Sequence, residues 1–364
     1  MQMEKHARHW RLPGRPQRMT STDAWPGRGV GPWRSFVAAL ILAACSSGAT
    51  RAAELTRFSA TQPHMGVQVR LQVYADDEAL ADRAFAAAFD RIEELNRLLS
   101  DYDAASELSQ LSATAPHESW APVSADLYRV LDAAQQTSRD TDGAFDVTVG
   151  ALSRLWRRAR RKGMMPDEGS LHAARATVGY RHLLLNQQRR AARLQQSGTR
   201  LDLGGIAKGY VADQALEELC QYGCPRASVD TGGDLSLGEP PPGERGWRIG
   251  ISPLEPDQPA SRFVRVSNCG VATSGDAWQF VEIDDVRYSH LLDPHTGLGL
   301  TTRSSVTVIA HDCMTADALA SAVSVLGPRA GTAFVERTCG VDSLVVAIEA
   351  GEVQTFESSG FSDW

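Results

Sequence analysis

The segment LDLGGIAKGYVADQAL (residues 201–216) places two glycines and a lysine where an apolar strand gives way to a helix. Gly204 and Gly205 let the backbone approach a ligand closely, and a helix that starts near Ile206 offers free amide groups to an anion. Lys208 adds a positive charge. These residues indicate a bound phosphate, although a tight turn with a surface lysine would have the same composition.

The same segment is not a P-loop. That motif needs a glycine directly before the lysine and a Ser or Thr directly after it. Here Ala207 precedes Lys208 and Gly209 follows it. The phosphate compound must therefore be identified from other parts of the chain.

The segment TADALAS (residues 315–321) is suited to hold a divalent cation. Asp317 and Ser321 are four residues apart, so on a helix their side chains share one face. A carboxylate and a hydroxyl, together with a nearby backbone carbonyl, are oxygen ligands of the kind that Mg²⁺ prefers. The alternative is structural: Thr315 caps the helix, Asp317 favours its positive N-terminus, and Ser321 is a small packing residue.

The segment YSHLLDPHTG (residues 288–297) carries two histidines in a turn. His290 and His295 flank Asp293, which is followed by Pro294. A histidine that is held on such a loop and oriented by Asp293 can act as a general base. Hydrogen bonds within the turn would account for the same residues without any catalysis.

The elements that must position these residues follow from hydrophobic periodicity. Residues 66–74 alternate apolar and polar and predict a half-buried strand, whereas residues 77–99 have apolar residues at helical spacing. Further helices are predicted over 124–138, with Ser124 as N-cap, and over 315–326. Strands and helices alternate irregularly with hairpin-like turns, which predicts an α+β fold with a mixed, largely antiparallel sheet and packed helices.

A run of six basic residues lies within residues 154–162, RLWRRARRK. Its positive charge would attract phosphates. A run of this kind is also typical of the solvated face of a helix. Both interpretations are compatible with the sequence.

The first 44 residues differ in composition from the rest. They are net basic and end in a nine-residue apolar run (residues 36–44), which is too short to span a bilayer and is typical of a signal peptide. The sequence LAAC at its end resembles a bacterial lipobox, which predicts acylation of Cys45; an ordinary buried cysteine is the alternative. We therefore expect a lipoprotein signal peptide over residues 1–44, a flexible tether over 45–60 and one folded domain over 61–364.

Such a protein would lie on the periplasmic side of a bacterial membrane, anchored through the lipid on Cys45. The chain after the leader is strongly acidic, which argues against nucleic acid as a partner. No later apolar segment is long and uncharged enough to cross a membrane. In an oxidising compartment the five remaining cysteines could pair, and their odd number leaves at least one of them free.

The order of these segments along one chain resembles that of the FAD:protein FMN transferases, the ApbE family. The resembling segments, in chain order, are MGVQV from Met65, LSDYDAASELSQL, DGAFDVTVG, DLGGIAKGYVAD, VDTGGDL, VATSGD, YSHLLDPHTG, SVTVIA and TADALAS. They cover about residues 60–350. The resemblance implies a single ApbE-like domain that binds FAD and Mg²⁺. It would move the FMN half of FAD onto a Ser or Thr hydroxyl of a target flavoprotein and release AMP.

The resemblance also implies which residues bind FAD. The implied contacts are Met65, Tyr102, Ala144, Phe145, Asp146, Asp202, Lys208 and His290. The first five would face the flavin, whereas Asp202 and Lys208 would hold FAD. The phosphate at the glycine-rich segment would then be the pyrophosphate of FAD.

A metal site and a mechanism are implied as well. The carbonyl of Gly205 would coordinate Mg²⁺ together with Asp317 and Ser321. Lys208 and the metal would neutralise the pyrophosphate, while His290 takes the proton from the acceptor hydroxyl. The family usually has Thr where this chain has Ser321, so the oxygen ligand is kept but the methyl group that restricts its rotamer is lost.

Two other functions would use the same residues. A periplasmic Mg²⁺-dependent FAD pyrophosphatase would have the same site, with water as the nucleophile. A non-catalytic flavin-binding lipoprotein would store or carry FAD. The combination of Asp202, Lys208, His290 and Asp317 argues against mere carriage, because a carrier needs no general base.

Overall fold

A computed structural model describes residues 55–251, 254, 258–260, 262–276 and 279–364. Strands and helices alternate irregularly along them. The helices there are α1 (Glu78–Leu99), α2 (Glu107–Ala113), α3 (Ala125–Asp140), α4 (Gly150–Lys162), α5 (Glu168–Arg175), α6 (Ala207–Gln221), α7 (Cys313–Leu326) and α8 (Pro328–Val335). The strands are β1 (Thr56–His64), β2 (Val67–Ala75), β3 (Ala121–Pro122), β4 (Leu183–Asn186), β5 (Ala191–Leu194), β6 (Ala227–Asp230), β7 (Leu235–Leu237), β8 (Trp247–Gly250), β9 (Phe263–Val266), β10 (Cys269–Gly275), β11 (Phe280–Ile283), β12 (Val286–Ser289), β13 (Ser304–Ala310), β14 (Asp342–Glu349) and β15 (Glu352–Glu357). The predicted signal peptide, Cys45 and the tether up to residue 54 lie outside the described residues.

The main sheet has eight strands in the order β1-β2-β6-β7-β10-β13-β14-β15. Every neighbouring pair in it is antiparallel. Strand β13 is buried along its whole length, as expected for a central strand that is covered on both faces. The predicted α+β class with a largely antiparallel sheet is confirmed.

Helix boundaries follow the capping residues. Ser124 caps α3 as predicted, since its Oγ accepts a 3.2 Å hydrogen bond from the Leu127 amide. Helix α7 begins at Cys313, and its cap is Asp312, whose carboxylate accepts a 2.7 Å hydrogen bond from the Thr315 amide. The alternative in which Thr315 caps this helix is wrong, because Thr315 lies inside the first turn.

Both faces of the main sheet are covered. On one face α1, α6 and α7 lie side by side, and Ile92 of α1 and Val211 of α6 are fully buried in the same core as Leu71 of β2. On the other face, the β8–β9 hairpin and the C-terminal segment bury Trp247 and Phe361. Because protein interiors are close-packed, this arrangement holds α6 and α7 in fixed positions relative to the sheet.

Strand β1 begins at Thr56, so the boundary predicted at residue 61 between tether and domain falls inside a strand. It pairs with β2 along its whole length, from Thr56 opposite Ala75 to His64 opposite Val67. Most of its side chains are exposed, and an edge strand of this kind lacks the alternation that marks a half-buried strand. The folded domain therefore starts five residues earlier than the pattern indicated.

The five cysteines in the described part of the chain are free: Cys220, Cys224, Cys269, Cys313 and Cys339. Cys224, Cys269 and Cys313 are buried, where a thiol behaves as a small apolar side chain. The same part of the chain has no helix that combines the length and the apolar character needed to span a bilayer.

Candidate active site

The N-terminal ends of α6 and α7 meet in close backbone contact at Gly209. A Cβ atom at this position would lie 2.2 Å from the Cys313 carbonyl oxygen, so only glycine allows the contact. The Gly209 amide donates a 3.1 Å hydrogen bond to Asp317 Oδ2. The contact brings Lys208 of α6 next to Asp317 of α7, which are the two charged residues that the sequence predicted to serve a phosphate and a metal.

Lys208 lies between two buried carboxylates. Its ammonium contacts Asp234 directly and lies 3.9 Å from Asp317 Oδ1. Both carboxylates are 2% exposed. Burial by itself would lower the pKa of Lys208, but the charges of Asp234 and Asp317 outweigh it and raise this pKa, so the side chain is an ammonium ion.

Asp317 is not fully neutralised by this lysine. Burial, and then the charge of Asp234, raises the pKa of Asp317 to about 7. With both acids ionised, the cluster of Asp234, Asp317 and Lys208 has one negative charge in excess. A buried excess of negative charge is costly unless a cation compensates it, so the cluster favours a bound cation.

The three residues predicted to bind the metal lie together. Ser321 is one helical turn after Asp317 on α7, and a Cβ atom on Gly205 would lie 2.7 Å from Ser321 Oγ. The Gly205 backbone therefore lies against the serine hydroxyl. Ser274, at the end of β10, places its Oγ 3.4 Å from Ser321 Oγ and adds a further hydroxyl that sequence reasoning missed.

These oxygens fit Mg²⁺ that is shared with a phosphate. The described residues contain no group of three or more His, Cys, Asp or Glu side chains arranged to hold a metal. The available donors are one carboxylate, hydroxyls and a carbonyl. Mg²⁺ usually keeps several waters and binds through one or two carboxylates plus substrate phosphates, so a donor set of this kind suits it.

The predicted FAD contacts Tyr102 and Asp202 lie on either side of one arginine. Arg157 of α4 forms a 2.5 Å ion pair with Asp101 and a 3.0 Å ion pair with Asp202. Its guanidinium lies over the Tyr102 ring at 4.0 Å, although Tyr102 is 78% exposed. Asp202 also accepts a 2.8 Å hydrogen bond from the Gly204 amide. The sequence marked Arg157 only as part of the basic run at residues 154–162 and did not single out Asp101, because only the fold brings the two together.

The GAFD segment (residues 143–146) packs against the glycine-rich turn at Gly205. A Cβ atom on Gly205 would lie 3.4 Å from Phe145 Cε2, so the Phe145 ring contacts the predicted metal site. Ala144 and Asp146 are buried as well. Asp146 Oδ1 accepts hydrogen bonds from the amide and hydroxyl of Thr148 at 2.8 and 2.6 Å. Burial raises the pKa of Asp146, whose observed contacts stabilise the local turn.

Met65 lies at the tip of the β1–β2 hairpin, with a φ of 50°. Its side chain is half-buried against the main core. Two residues later, Val67 lies against the next glycine turn: a Cβ atom on Gly232 would be 2.9 Å from Val67 Cβ. Because this turn leads directly to Asp234, the hairpin tip lies next to the loop that carries the partner of Lys208.

His290 follows the β11–β12 hairpin and is half-buried. Its backbone amide and its Nδ1 both lie near the Gln279 carbonyl oxygen, at 3.0 and 3.1 Å. Nδ1 therefore donates to this carbonyl, which leaves the lone pair on Nε2. Burial lowers the pKa of His290 to about 4, and the nearby charges of Arg160 and Lys208 act in the same direction. The imidazole is neutral at physiological pH.

Asp293 does not orient His290, so this part of the sequence interpretation is wrong. Its carboxylate accepts hydrogen bonds from the His295 amide at 2.8 Å and from the Thr296 hydroxyl at 2.9 Å. Asp293 thus builds the turn after His290. The Gln279 carbonyl has the orienting role instead, and a backbone group of this kind leaves no signal in the residue types.

Asp213 of α6 is another residue that sequence reasoning missed. Its carboxylate accepts hydrogen bonds from the amides of Cys313 and Met314, at 3.0 and 2.9 Å, and from the Ser236 hydroxyl at 2.6 Å. Burial raises the pKa of Asp213 to about 6. It connects the helix that bears Lys208 to the start of the helix that bears Asp317. An acidic residue among the apolar residues of α6 was the available signal.

The fold and the site together define an α+β protein with a charged ligand site between two helices that pack on one face of an antiparallel sheet. Residues 65–345 match the model of the ApbE family, and the chain belongs to that family. This confirms the resemblance that the order of the sequence segments indicated.

Several FAD:protein FMN transferases and ApbE structures are similar to this chain over most of their length. The chain is 34% identical over 316 residues to an FAD:protein FMN transferase of Vibrio cholerae, covering 84% of this chain and 90% of the relative. It is 32% identical over 332 residues to one of Treponema pallidum, covering 86% and 91%. Among solved structures, the flavin transferase ApbE of Vibrio cholerae superimposes with a TM-score of 0.75 at 30% identity, covering 85% of this chain and 99% of the other. An ApbE protein of Thermotoga maritima gives a TM-score of 0.75 at 29% identity, covering 84% and 98%.

Proposed function

We propose that this protein is an FAD:protein FMN transferase. Membership of the ApbE family makes it a transferase, and the related proteins carry that name. In the proposed reaction FAD is the substrate, the FMN half moves to a Ser or Thr hydroxyl of an acceptor flavoprotein, and AMP is released. The observation that carries the proposal is the convergence of Lys208, Asp317 and Ser321 on the glycine-rich turn at Gly205.

Different residues of the site would have different roles in this reaction. Lys208 would bind the pyrophosphate of FAD, and the Gly205 carbonyl, Asp317 and Ser321 would hold Mg²⁺. Bound Mg²⁺ supplies a positive charge that polarises the phosphoryl oxygens. His290 Nε2 would accept the proton of the acceptor hydroxyl, whose oxygen then forms a bond to the FMN phosphorus. The bond from that phosphorus to the AMP oxygen breaks, and AMP leaves with the electron pair of that bond.

The neutral state of His290 suits this role. A base must be unprotonated before the reaction, and the low pKa of His290 ensures that it is. The negative charge of bound FAD raises the pKa of a neighbouring imidazole, which increases its basicity when substrate is present. The site would therefore accept a proton more readily with FAD bound than without it.

Mass spectrometry of an acceptor protein tests the proposal. The protein is incubated with FAD, Mg²⁺ and a candidate acceptor flavoprotein, and a reaction without Mg²⁺ is the control. We expect an FMN-sized mass increment on a Ser or Thr of the acceptor, together with AMP. Release of AMP and free FMN without any labelled acceptor would instead support the pyrophosphatase, and binding of FAD without turnover would support a flavin carrier.

We also propose that the protein is lipid-anchored through Cys45 on the periplasmic side of the membrane. The basic leader, the apolar run and the LAAC sequence support this proposal. Incorporation of labelled palmitate in cells tests it. We expect label in the native protein and none in Cys45→Ser, whereas equal labelling of both would overturn the assignment.

A further inference from the structure

Helix α4 forms a wall of the site beside His290. Its buried residues Trp156 and Ala159 pack against Val281 and Ile283 of the β11–β12 hairpin. Trp156 Nε1 also donates a 2.8 Å hydrogen bond to the Gly297 carbonyl, beyond the turn that follows His290. These contacts fix α4 relative to the hairpin and loop that hold the proposed base.

Two arginines of α4 extend from this wall towards the site. Arg157 and Arg160 are three residues apart, so they lie on the same side of the helix. Arg157 is neutralised by two carboxylates. Arg160 differs: in the described part of the chain no carboxylate forms an ion pair with it, and its contact is a long one, 3.4 Å from Nη1 to Gln279 Oε1.

Arg160 is close to the reacting groups that the sequence predicted. Gln279 is the residue whose carbonyl accepts from His290 Nδ1, so Arg160 and His290 share a neighbour. The positive charge of Arg160 contributes to the low pKa of His290. Arg160 is also half-buried, which is unusual for an arginine without a counter-ion.

The charge balance of the site leaves a role for this arginine. Lys208 is shared between Asp234 and Asp317, so its charge alone does not balance that of a bound pyrophosphate. The pyrophosphate of FAD carries two negative charges, and the cluster of Asp234, Asp317 and Lys208 has one in excess. Mg²⁺ bound at Asp317 would compensate only part of this combined negative charge. A guanidinium suits the remainder, because its planar donors match phosphate oxygens in pairs.

We propose that Arg160 binds the pyrophosphate of FAD and stabilises the charge that develops on it during transfer. This inference rests on the proposed function and extends it by a residue outside the segments that resemble the family. It also resolves the basic run of α4 into different roles: Arg157 braces Asp101 and Asp202, Arg160 binds substrate, and Arg158 is solvated.

The test compares FAD with riboflavin, which has the same flavin but no phosphate. Binding of both to Arg160→Ala and Arg160→Lys is measured by flavin fluorescence, with Arg158→Ala as the control. Arg158 is exposed on the same helix, so its removal changes the net charge equally. We expect Arg160→Ala to weaken FAD binding about tenfold or more with riboflavin unchanged, Arg160→Lys to recover part of the loss, and Arg158→Ala to match the parent.

Two outcomes would overturn the inference. One is an FAD affinity of Arg160→Ala equal to that of Arg158→Ala, and the other is an equal loss for FAD and riboflavin. A failure of the proposed function can be distinguished from a failure of the inference about Arg160. If the parent releases AMP but labels no acceptor, the transferase is wrong while the difference between FAD and riboflavin still supports Arg160. If the parent binds neither flavin, both proposals fall.

Discussion

Lys208 and Asp317 face each other across the contact between α6 and α7, with 3.9 Å between Nζ and Oδ1. The distance exceeds that of a hydrogen bond, because Asp234 holds the ammonium closer to itself. Asp317 therefore keeps a carboxylate oxygen that is close to a cation but not saturated by it. Such an oxygen is available to a metal ion, whereas the charge of Lys208 reduces the repulsion between the cluster and a phosphate.

Asp317→Asn should abolish Mg²⁺-dependent turnover of FAD and leave the fold intact. Asparagine keeps the volume and an acceptor for the Gly209 amide but lacks the negative charge that Mg²⁺ requires. AMP release across a Mg²⁺ titration measures the first effect, and thermal unfolding measures the second. Turnover with the parent's dependence on Mg²⁺ would remove Asp317 from the metal site.

Lys208→Met should weaken FAD binding much more than riboflavin binding, because riboflavin lacks the pyrophosphate. The variant should also be less stable by about 3 kcal/mol, since it leaves Asp234 buried without a counter-charge. Adding Asp234→Asn should restore most of the stability without restoring FAD binding. Equal losses for both flavins would place Lys208 away from the phosphates.

Gly205→Ala should reduce stability by about 1–3 kcal/mol, the usual range for overpacking a well-packed site. The added Cβ would lie 2.7 Å from Ser321 Oγ and cannot be accommodated without movement. In a Ser321→Ala background the loss should be smaller, because the hydroxyl is gone. Urea unfolding of the four proteins measures the coupling, and additive effects would contradict the contact.

His290 should titrate far below an ordinary histidine. Its pKa is lowered to about 4, so the imidazole protonates only as the pH falls through that value and is neutral above it. Its Cε1 proton resonance, assigned with His290→Ala, should therefore stay constant between about pH 8 and about pH 5. A midpoint near 6.5 would contradict the burial.

With FAD and Mg²⁺, His290→Ala should lose FMN transfer by roughly 10²–10⁴-fold and keep FAD binding.

Asp213→Ala should destabilise the protein and weaken FAD binding together. The change leaves the Cys313 and Met314 amides without their acceptor, at about 1–3 kcal/mol for each buried group. Ser236→Ala removes only the third hydrogen bond and is the matched control. Urea unfolding and flavin fluorescence report the two effects. Equal stability and equal FAD affinity of the two variants would show that Asp213 does not hold α7 against α6.

The elements with a strong periodic pattern were predictable. Helix α1 lies at Glu78–Leu99 against an expectation of 77–99, and α3 begins after Ser124 as its side chain indicated. Edge strand β1 was missed, because its exposed residues have no apolar face to mark it. Local periodicity reports burial, so elements that bury little are not detected by it.

The sequence by itself determined which residue types are present and which share a face of one element. Asp317 and Ser321 lie one turn apart because four residues make about one helical turn, and this geometry needs no tertiary contact. The tertiary structure alone decided the partners of the charges. Lys208 meets Asp234 across 26 residues of chain, and Arg157 meets Asp101 across 56. Such pairs depend on how helices pack on the sheet, and packing is a property of the whole core that no local spacing encodes.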